Sequence, residues 1–280
     1  MEFRTVVDVE KPGFEIGACE EMLFVGSCFA DHIGKRFQEE KFRATVNPFG
    51  VMYNPASILH TVERLYSSTP YSSSPSIKTA FFTLGTNHVY RLKETGEIVD
   101  NCMKRPQSLF NEEELTVDEC ADYLQRAIDM LRQHNPDVRV VLTVSPIRYR
   151  KYGYHGSQLS KATLLLATHR VVSNCELSIV NCELSYFPAY EIVNDELRDY
   201  RFYAEDMLHP SSQAVEYIWE RFSDAYLSAE AKTFLREWQP LKAALNHKPF
   251  NPESQEYRIF MDKTMLKIAE LQKKYPNFAL

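Results

Sequence analysis

Between Met22 and Phe37 the chain changes periodicity at a single glycine, and that switch restricts what can be built around it. Met22-Leu23-Phe24-Val25 is an unbroken apolar run, the pattern of a strand buried on both faces of a parallel sheet. Phe29, Ile33 and Phe37 then recur at helical spacing. Gly26-Ser27 stands at the hand-over, so the stretch reads as strand, tight turn, helix. A serine placed there sits at the carboxyl end of a strand, beside a helix amino terminus whose free N–H groups can receive a developing negative charge. Serine is also a favoured helix N-cap. Taken alone, the local pattern favours capping, and only the rest of the chain can argue for chemistry.

The same alternation continues. Phe42 to Val46 reads as a short strand ended by Asn47-Pro48-Phe49-Gly50, and Pro55 opens a helix through Ile58, Leu59, Val62 and Leu65. The serine- and proline-rich residues 67 to 76 form a loop. Thr79 to Leu84 is a strand closed by Gly85, residues 91 to 117 are an irregular excursion, and Asp118 to Gln133 is a helix stopped by Asn135-Pro136. Val138 to Val144 is the fourth strand, Leu159 to Val172 a helix, and Leu177 to Val180 or slightly beyond the fifth strand. A stripe of Val215, Ile218, Trp219, Phe222 and Tyr226 marks a further helix. From about residue 230 no strand pattern remains, and two more helices follow. Strands alternating with helices predict an α/β fold with a parallel sheet covered on both faces, in which ligands bind at the carboxyl ends of the strands. Ser27, Gly50, Asn87 and the loop after Val144 would then share one rim. The division expected is a main domain over 1–230 and a helical extension over 231–280 packed on it.

With 280 residues, 44% hydrophobic and 25% charged, the chain is long enough for one sizeable core. A net charge of −6 without a basic stripe argues against a nucleic-acid partner. The start lacks a signal-peptide pattern and no apolar run approaches a membrane span, so a cytoplasmic protein without a membrane partner is expected. Cys19, Cys28, Cys102, Cys120, Cys175 and Cys182 are scattered without a C-x-x-C pair and read as reduced thiols. His32, His88 and His155 have no acidic or cysteine ligands at metal spacing, so neither metal nor cofactor is implied.

Asp206-Met207-Leu208-His209 precedes the Val215–Tyr226 stripe. The first strand thus ends in Gly-Ser, the second near a glycine, the third in Gly-Thr-Asn, and Asp-x-x-His follows the last. This order resembles the four blocks of the SGNH, or GDSL-type, hydrolase superfamily. Within it, Gly26-Ser27-Cys28-Phe29-Ala30 spells the name of the GSCFA family, and the resemblance runs from about residue 22 to near Leu227. It implies a flavodoxin-like, three-layer α/β/α fold with a mainly parallel five-stranded sheet plus C-terminal helices. It also implies Ser27 as nucleophile, His209 as general base, Asp206 as its orienting partner, and an oxyanion hole from Ser27, Gly50 and Asn87. Two blocks depart from the superfamily pattern: Val25-Gly26-Ser27 replaces Gly-Asp-Ser, and Gly85-Thr86-Asn87-His88 replaces Gly-x-Asn-Asp. Thr86 or Asn101 could take the place of Asn87.

The residues support the same chemistry by themselves. A serine hydroxyl needs a base to take its proton, histidine can do so near neutral pH, and an aspartate three residues earlier can fix the imidazole tautomer. The expected activity is a serine esterase removing small acyl groups, acetyl above all, from a carbohydrate or other hydroxylated small molecule through an acyl-enzyme. O-acyl transfer is the same chemistry with another acceptor, and a non-catalytic carbohydrate-binding module on the same fold is the competing class. Cys28, at the helix start, is a second candidate nucleophile, but one residue along the turn its side chain is expected to point into the packing below. Arg148, Tyr149 and His155, in the basic, aromatic loop Ser145–Gly156, are candidate substrate contacts suited to a sugar. The partner expected is a small-molecule ester, and the sequence leaves the oligomeric state open.

Overall fold

In the computed structural model, which describes residues 3–67, 76–177 and 183–279, five strands form one parallel sheet. These are β1 (Glu21–Gly26), β2 (Arg43–Val46), β3 (Thr79–Leu84), β7 (Arg139–Val144) and β8 (Leu184–Tyr186), in the order β2-β1-β3-β7-β8. The central strands β1 and β3 align Phe24 with Phe81 and Gly26 with Thr83. Successive residues point to opposite faces. Met22, Phe24, Phe81 and Val141 therefore enter one apolar cluster, and Leu23, Val25, Ala80, Phe82 and Leu142 the other.

Each face is covered by helices whose apolar stripes match it. Over the first lie α1 (Cys28–Glu39) and α6 (Ser212–Tyr226), with α7 (Ala229–Leu245) and α8 (Gln255–Lys274) outside them. Phe37 of α1 sits at the centre, its ring 5.2 Å from Phe24, 5.0 Å from Phe42 and 4.7 Å from Trp219. Burying each such ring contributes about 1.5–3 kcal/mol. The second face carries α2 (Pro55–Ser67), α3 (Val117–His134) and α4 (Gly153–Glu176). Thr116 and Glu119 start α3 with a capping box, which explains the sharp boundary there. The result is the three-layer α/β/α arrangement with a five-stranded sheet and additional C-terminal helices.

The C-terminal helices grip the far end of α1. Trp238 Nε1 donates to the Glu39 carbonyl at 3.2 Å, Gln239 Nε2 to Glu40 Oε2 at 2.8 Å, and Lys242 Nζ to Glu40 Oε1 at 2.9 Å. Glu40 is fully buried, so those donors compensate its desolvation. Phe234 and Phe42 meet edge to face at 6.1 Å in the same cluster.

Several expectations are corrected. The fifth strand is Leu184–Tyr186, later than Leu177–Val180; Leu177 follows α4, and 178–180 lie outside the described residues. It is a three-residue edge strand, too short to impose a pattern on its surroundings. Residues 88 to 114, read largely as irregular, form an antiparallel ribbon of β4 (His88–Leu92), β5 (Ile98–Val99) and β6 (Phe110–Glu114). Polar residues fill several of its pairs, such as His88 opposite Glu114 and Tyr90 opposite Glu112, so no clean apolar alternation marks it although Val89 and Phe110 are buried. The loop after β7 is shorter than expected, since α4 begins at Gly153 after a 3₁₀ turn over Arg150–Tyr152. Between β8 and α6 the chain makes a short helical turn, α5 (Ala189–Glu191), running into a π-helical stretch, Ile192–Leu197. Cys175 is disulfide-bonded rather than reduced, whereas Cys19, Cys28, Cys102 and Cys120 are free; Cys182 lies outside the described residues. The loop expected over 67–76 also falls largely outside them. Among the described residues no helix is long and apolar enough to cross a membrane.

Candidate active site

The turn between β1 and α1 is held on all sides. Gly26 has φ +147°, and its N–H donates to Asn47 Oδ1 at 2.9 Å while its carbonyl accepts from Met52 N–H at 2.9 Å. Asn47 in turn donates to Asp31 Oδ1 at 2.6 Å. Ser27 follows in extended conformation as the N-cap of α1, its Oγ accepting from Phe29 N–H at 3.3 Å. The capping role is therefore present, and it uses the oxygen as acceptor while leaving the hydroxyl proton free. Ser27 is 2% exposed. A Cβ at Gly85 would lie 3.5 Å from Ser27 Cβ, which brings the end of β3 against the serine.

Asp206 and His209 are joined directly. His209 Nδ1 lies 2.5 Å from Asp206 Oδ2, so the other ring nitrogen, Nε2, is the one left for a base. Asp206 Oδ1 accepts from the N–H groups of His209 (3.0 Å) and Leu208 (2.9 Å). Those two backbone donors, with the imidazole after them, hold the Asp206 carboxyl down to about 2. Met207 takes a left-handed φ of 59°, and Ala204 N–H donates to the His209 carbonyl at 2.7 Å, which closes the loop. His32, on the first turns of α1, is held below the usual histidine range by burial and then by His209. The 206–209 loop is tied to the segment that follows β7, since Arg148 N–H donates to the Leu208 carbonyl at 3.1 Å. Among the described residues no hydrogen bond joins Ser27 Oγ to His209 Nε2, a gap that resting sites often close only when substrate is bound.

The three expected oxyanion donors are all engaged. Ser27 N–H donates to the Thr83 carbonyl at 3.2 Å, Gly50 N–H to the Asn47 carbonyl at 2.9 Å, and Asn87 Nδ2 to the Leu115 carbonyl at 2.8 Å. Asn87 keeps a second Nδ2 hydrogen, and its buried Oδ1 has no hydrogen-bond partner. Gly50 has φ +98° with open space where a Cβ would stand. Of the alternatives to Asn87, Thr86 is buried beside it with Oγ1 3.0 Å from Ser160 Oγ, while Asn101 is exposed on the antiparallel ribbon and accepts from Met103 N–H at 2.7 Å. The free N–H expected at the helix amino terminus is that of Cys28, first in α1, which meets no acceptor among the described residues.

Cys28 itself does not turn into the core. It is half-buried with Sγ 4.0 Å from Tyr53 Oη, because the buried face of α1 is taken by Phe29, Ala30 and Ile33. Tyr53, also not anticipated, belongs to the rim: its carbonyl accepts from Gly85 and Thr86 N–H at 2.8 Å each, and its ring lies 6.3 Å from Tyr149. Burial and then the Cys28 thiol push the Tyr53 hydroxyl up to about 12, so it stays a neutral hydrogen-bonding group. Tyr149 continues into Tyr152 at 5.1 Å, and Tyr152 stacks on His88 at 3.5 Å. Arg148 is a strut: its N–H donates to the Leu208 carbonyl at 3.1 Å and its guanidinium to the Met207 carbonyl at 3.2 Å. His155 is exposed in the first turn of α4 rather than in a loop. Lys161 and Ser160 of α4 also reach this rim; the signal was Lys161 standing on the stripe of Leu164, Thr168 and Val171, where a lysine is out of character. Among the described residues no group of three or more His, Cys, Asp or Glu side chains could hold a metal ion.

The sequence matches the model of the GSCFA family over residues 21–80 and 73–222, and that of the GSCFA domain protein C-terminal domain over residues 238–280. No curated protein matches the chain. Among solved structures, an acetyl esterase serine-to-alanine mutant with acetate ion is 10% identical, with 79% of this chain and 99% of that one covered and a TM-score of 0.41. A family 3 carbohydrate esterase from Clostridium thermocellum is 10% identical (78% and 98% covered, TM-score 0.41). A carbohydrate esterase family 3 protein from Talaromyces cellulolyticus is 11% identical (79% and 99% covered, TM-score 0.37). Likenesses this distant leave the fold and the site to rest on the chain's own geometry.

Proposed function

We propose, from the premise that the chain belongs to the GSCFA family, that it is a serine esterase of the SGNH type that removes acetyl groups from carbohydrate or other hydroxylated small molecules. The observation that carries this is the ordered His209–Asp206 pair, 2.5 Å apart, in a chain whose Ser27 caps the amino end of α1 at the carboxyl end of β1. Ser27 Oγ attacks the acyl carbonyl carbon as its proton passes to His209 Nε2, and Asp206 stabilises the imidazolium through Nδ1–H. The tetrahedral oxyanion collapses, the alcohol leaves with the proton from His209, and water releases acetate from the acyl-enzyme by the same path. The oxyanion is met by the unpartnered Cys28 N–H and the second Nδ2 hydrogen of Asn87. Ser27 N–H and Gly50 N–H join by sharing, since each already has an acceptor. Hydrolysis of an aryl acetate together with labelling by a fluorophosphonate tests the reading; a protein that neither turns over nor labels refutes it. The near-complete cover of Ser27 is the observation favouring a binding module instead, and the same experiment separates the two.

Asp206→Asn is expected to lower kcat by about two to four orders of magnitude, because the amide cannot hold the imidazole in the tautomer that accepts the serine proton. In the unaltered enzyme the carboxylate remains ionised down to about pH 2. Rate lost on acidification well above pH 2 is therefore not protonation of Asp206. Wild-type kcat in Asp206→Asn would remove the pair from the chemistry.

The substrate reading uses the tyrosines beside Ser27. Tyr53 and Tyr149 offer flat faces with polar edges, and Arg148 and His155 add donors at the margin, a wall suited to a saccharide more than to a lipid chain. In a series of aryl esters of increasing acyl length, measured beside acetylated saccharides, kcat/KM is expected to fall by roughly tenfold or more from acetyl to octanoyl. A preference for the longer chains, or acetyl-saccharide turnover that ignores alanine at Tyr149 and His155, contradicts it.

A further inference from the structure

Lys161 is buried in α4 without a carboxylate partner among the described residues. Its Nζ donates to the Gly85 carbonyl at 2.7 Å and to the Ser145 carbonyl at 2.8 Å, and burial pushes the ammonium down to about 7. These carbonyls stand where the β3–β7 ladder stops. The last aligned pair is Leu84 with Val144, and Ser145 N–H still reaches the Leu84 carbonyl at 2.8 Å. The next parallel bond would run from Thr86 N–H to the Ser145 carbonyl. Thr86 N–H instead joins Gly85 N–H on the Tyr53 carbonyl, so the chain leaves the sheet and two carbonyls are left open. Lys161 takes both. The preceding residue, Ser160, holds the rest of the turn: its Oγ lies 3.0 Å from Thr86 Oγ1 and accepts from Asn87 N–H at 3.0 Å.

We propose that Ser160 and Lys161 are positioning residues that fix the Gly85–Asn87 turn against Ser27, so that Asn87 presents its free amide hydrogen to the reacting carbonyl. The inference rests on the esterase reading for its catalytic meaning. Stability alone gives no reason for the lysine, because an unpaired buried cation is destabilising relative to an apolar residue of the same volume. What the lysine does that an apolar residue cannot is fix the direction of two peptide planes. One of them is Gly85, whose α-carbon faces both Tyr53 and Ser27. Among the described residues Asn87 is otherwise held only by Leu115, through one Nδ2 hydrogen and through its own carbonyl, which accepts from Leu115 N–H at 2.9 Å.

The test uses Lys161→Met, which keeps the length and removes the donors, and Ser160→Ala, which removes two hydrogen bonds and buries no new group. Each is expected to lower kcat by about 10- to 100-fold on an aryl acetate while KM changes less than about twofold, because a displaced donor acts on the transition state. Amide hydrogen exchange at Asn87 and His88 should quicken in both variants while exchange across β1 and α6 stays as in the wild type. Wild-type kcat and wild-type exchange in the folded variants overturn the proposal. If Lys161→Met does not fold, Ser160→Ala decides by the same two readings. If the wild-type protein proves inactive on every ester, the esterase reading fails separately and exchange alone decides: loosening at 87–88 supports the positioning role, and unchanged protection removes it.

Discussion

Ser27→Ala is expected to abolish ester hydrolysis while leaving the protein folded. In the proposed mechanism this hydroxyl forms the acyl-enzyme, so its loss removes the covalent step entirely. A drop in kcat of roughly three orders of magnitude or more on an aryl acetate is anticipated, together with loss of fluorophosphonate labelling. The structural consequence is small by comparison. The alanine forfeits one capping bond, Ser27 Oγ to Phe29 N–H at 3.3 Å, worth about 1 kcal/mol. Thermal melts should therefore differ by only a few degrees. Cys28→Ala is the companion measurement: it should keep its turnover, since the proposed role at that position belongs to the backbone N–H. Wild-type turnover in Ser27→Ala, or its loss in Cys28→Ala with labelling at the thiol, would transfer the chemistry to the neighbouring residue.

Gly26→Ala is expected to prevent stable folding. A Cβ there would stand 2.1 Å from the Thr83 carbonyl oxygen and 2.3 Å from Thr83 Oγ1, in the middle of the sheet where β1 and β3 run side by side. The φ of +147° is a second obstacle for an L-residue. Backbone on a central strand cannot step aside as a flexible side chain does, and the loss should exceed about 4 kcal/mol, against a typical total of 5–15 kcal/mol. The expected result is insoluble or largely unfolded protein by circular dichroism. Gly50→Ala gives the contrast: its φ of +98° is also strained, but nothing lies within 4 Å of the added methyl, so a loss of about 1–3 kcal/mol in a folded protein is expected. A Gly26→Ala variant as stable as that one would show that the turn can be rebuilt.

The parts legible in the sequence are those that burial forces into a pattern. β1, β3 and β7 are covered on both faces, so apolar residues fill most of their positions and the strands could be read directly. The parallel order and the helical layers followed from their alternation. β8 was misplaced because it is three residues at the sheet edge, and the ribbon of β4 to β6 was missed because polar residues such as Tyr90 and Glu112 fill several of its paired positions. At the candidate site, Ser27, Asp206 and His209 were singled out through motif order, and what the structure adds is the capping bond of Ser27 and the direct Asp206–His209 contact. The backbone donors carry no such mark. Whether Ser27 N–H is free depends on where Thr83 ends, which no local pattern encodes. Lys161 failed for the opposite reason: it is a charged residue on an apolar stripe, and binary patterning has no category for a cation satisfied by two carbonyls.

The hold of α7 on the far end of α1 bears on how such chains diversify. The two matched stretches, ending at 222 and beginning at 238, look like cassettes that recombination could shuffle. Yet Trp238, Gln239 and Lys242 close the helix that carries Ser27 at its other end, and Phe234 completes the ring cluster around Phe42. A tail borrowed from a relative would have to bring matching partners for Glu39 and Glu40, or leave a buried carboxylate stranded at the far end of the helix that Ser27 caps. The two stretches are therefore bound to change together, each substitution at one face of that seam setting what the other can accept.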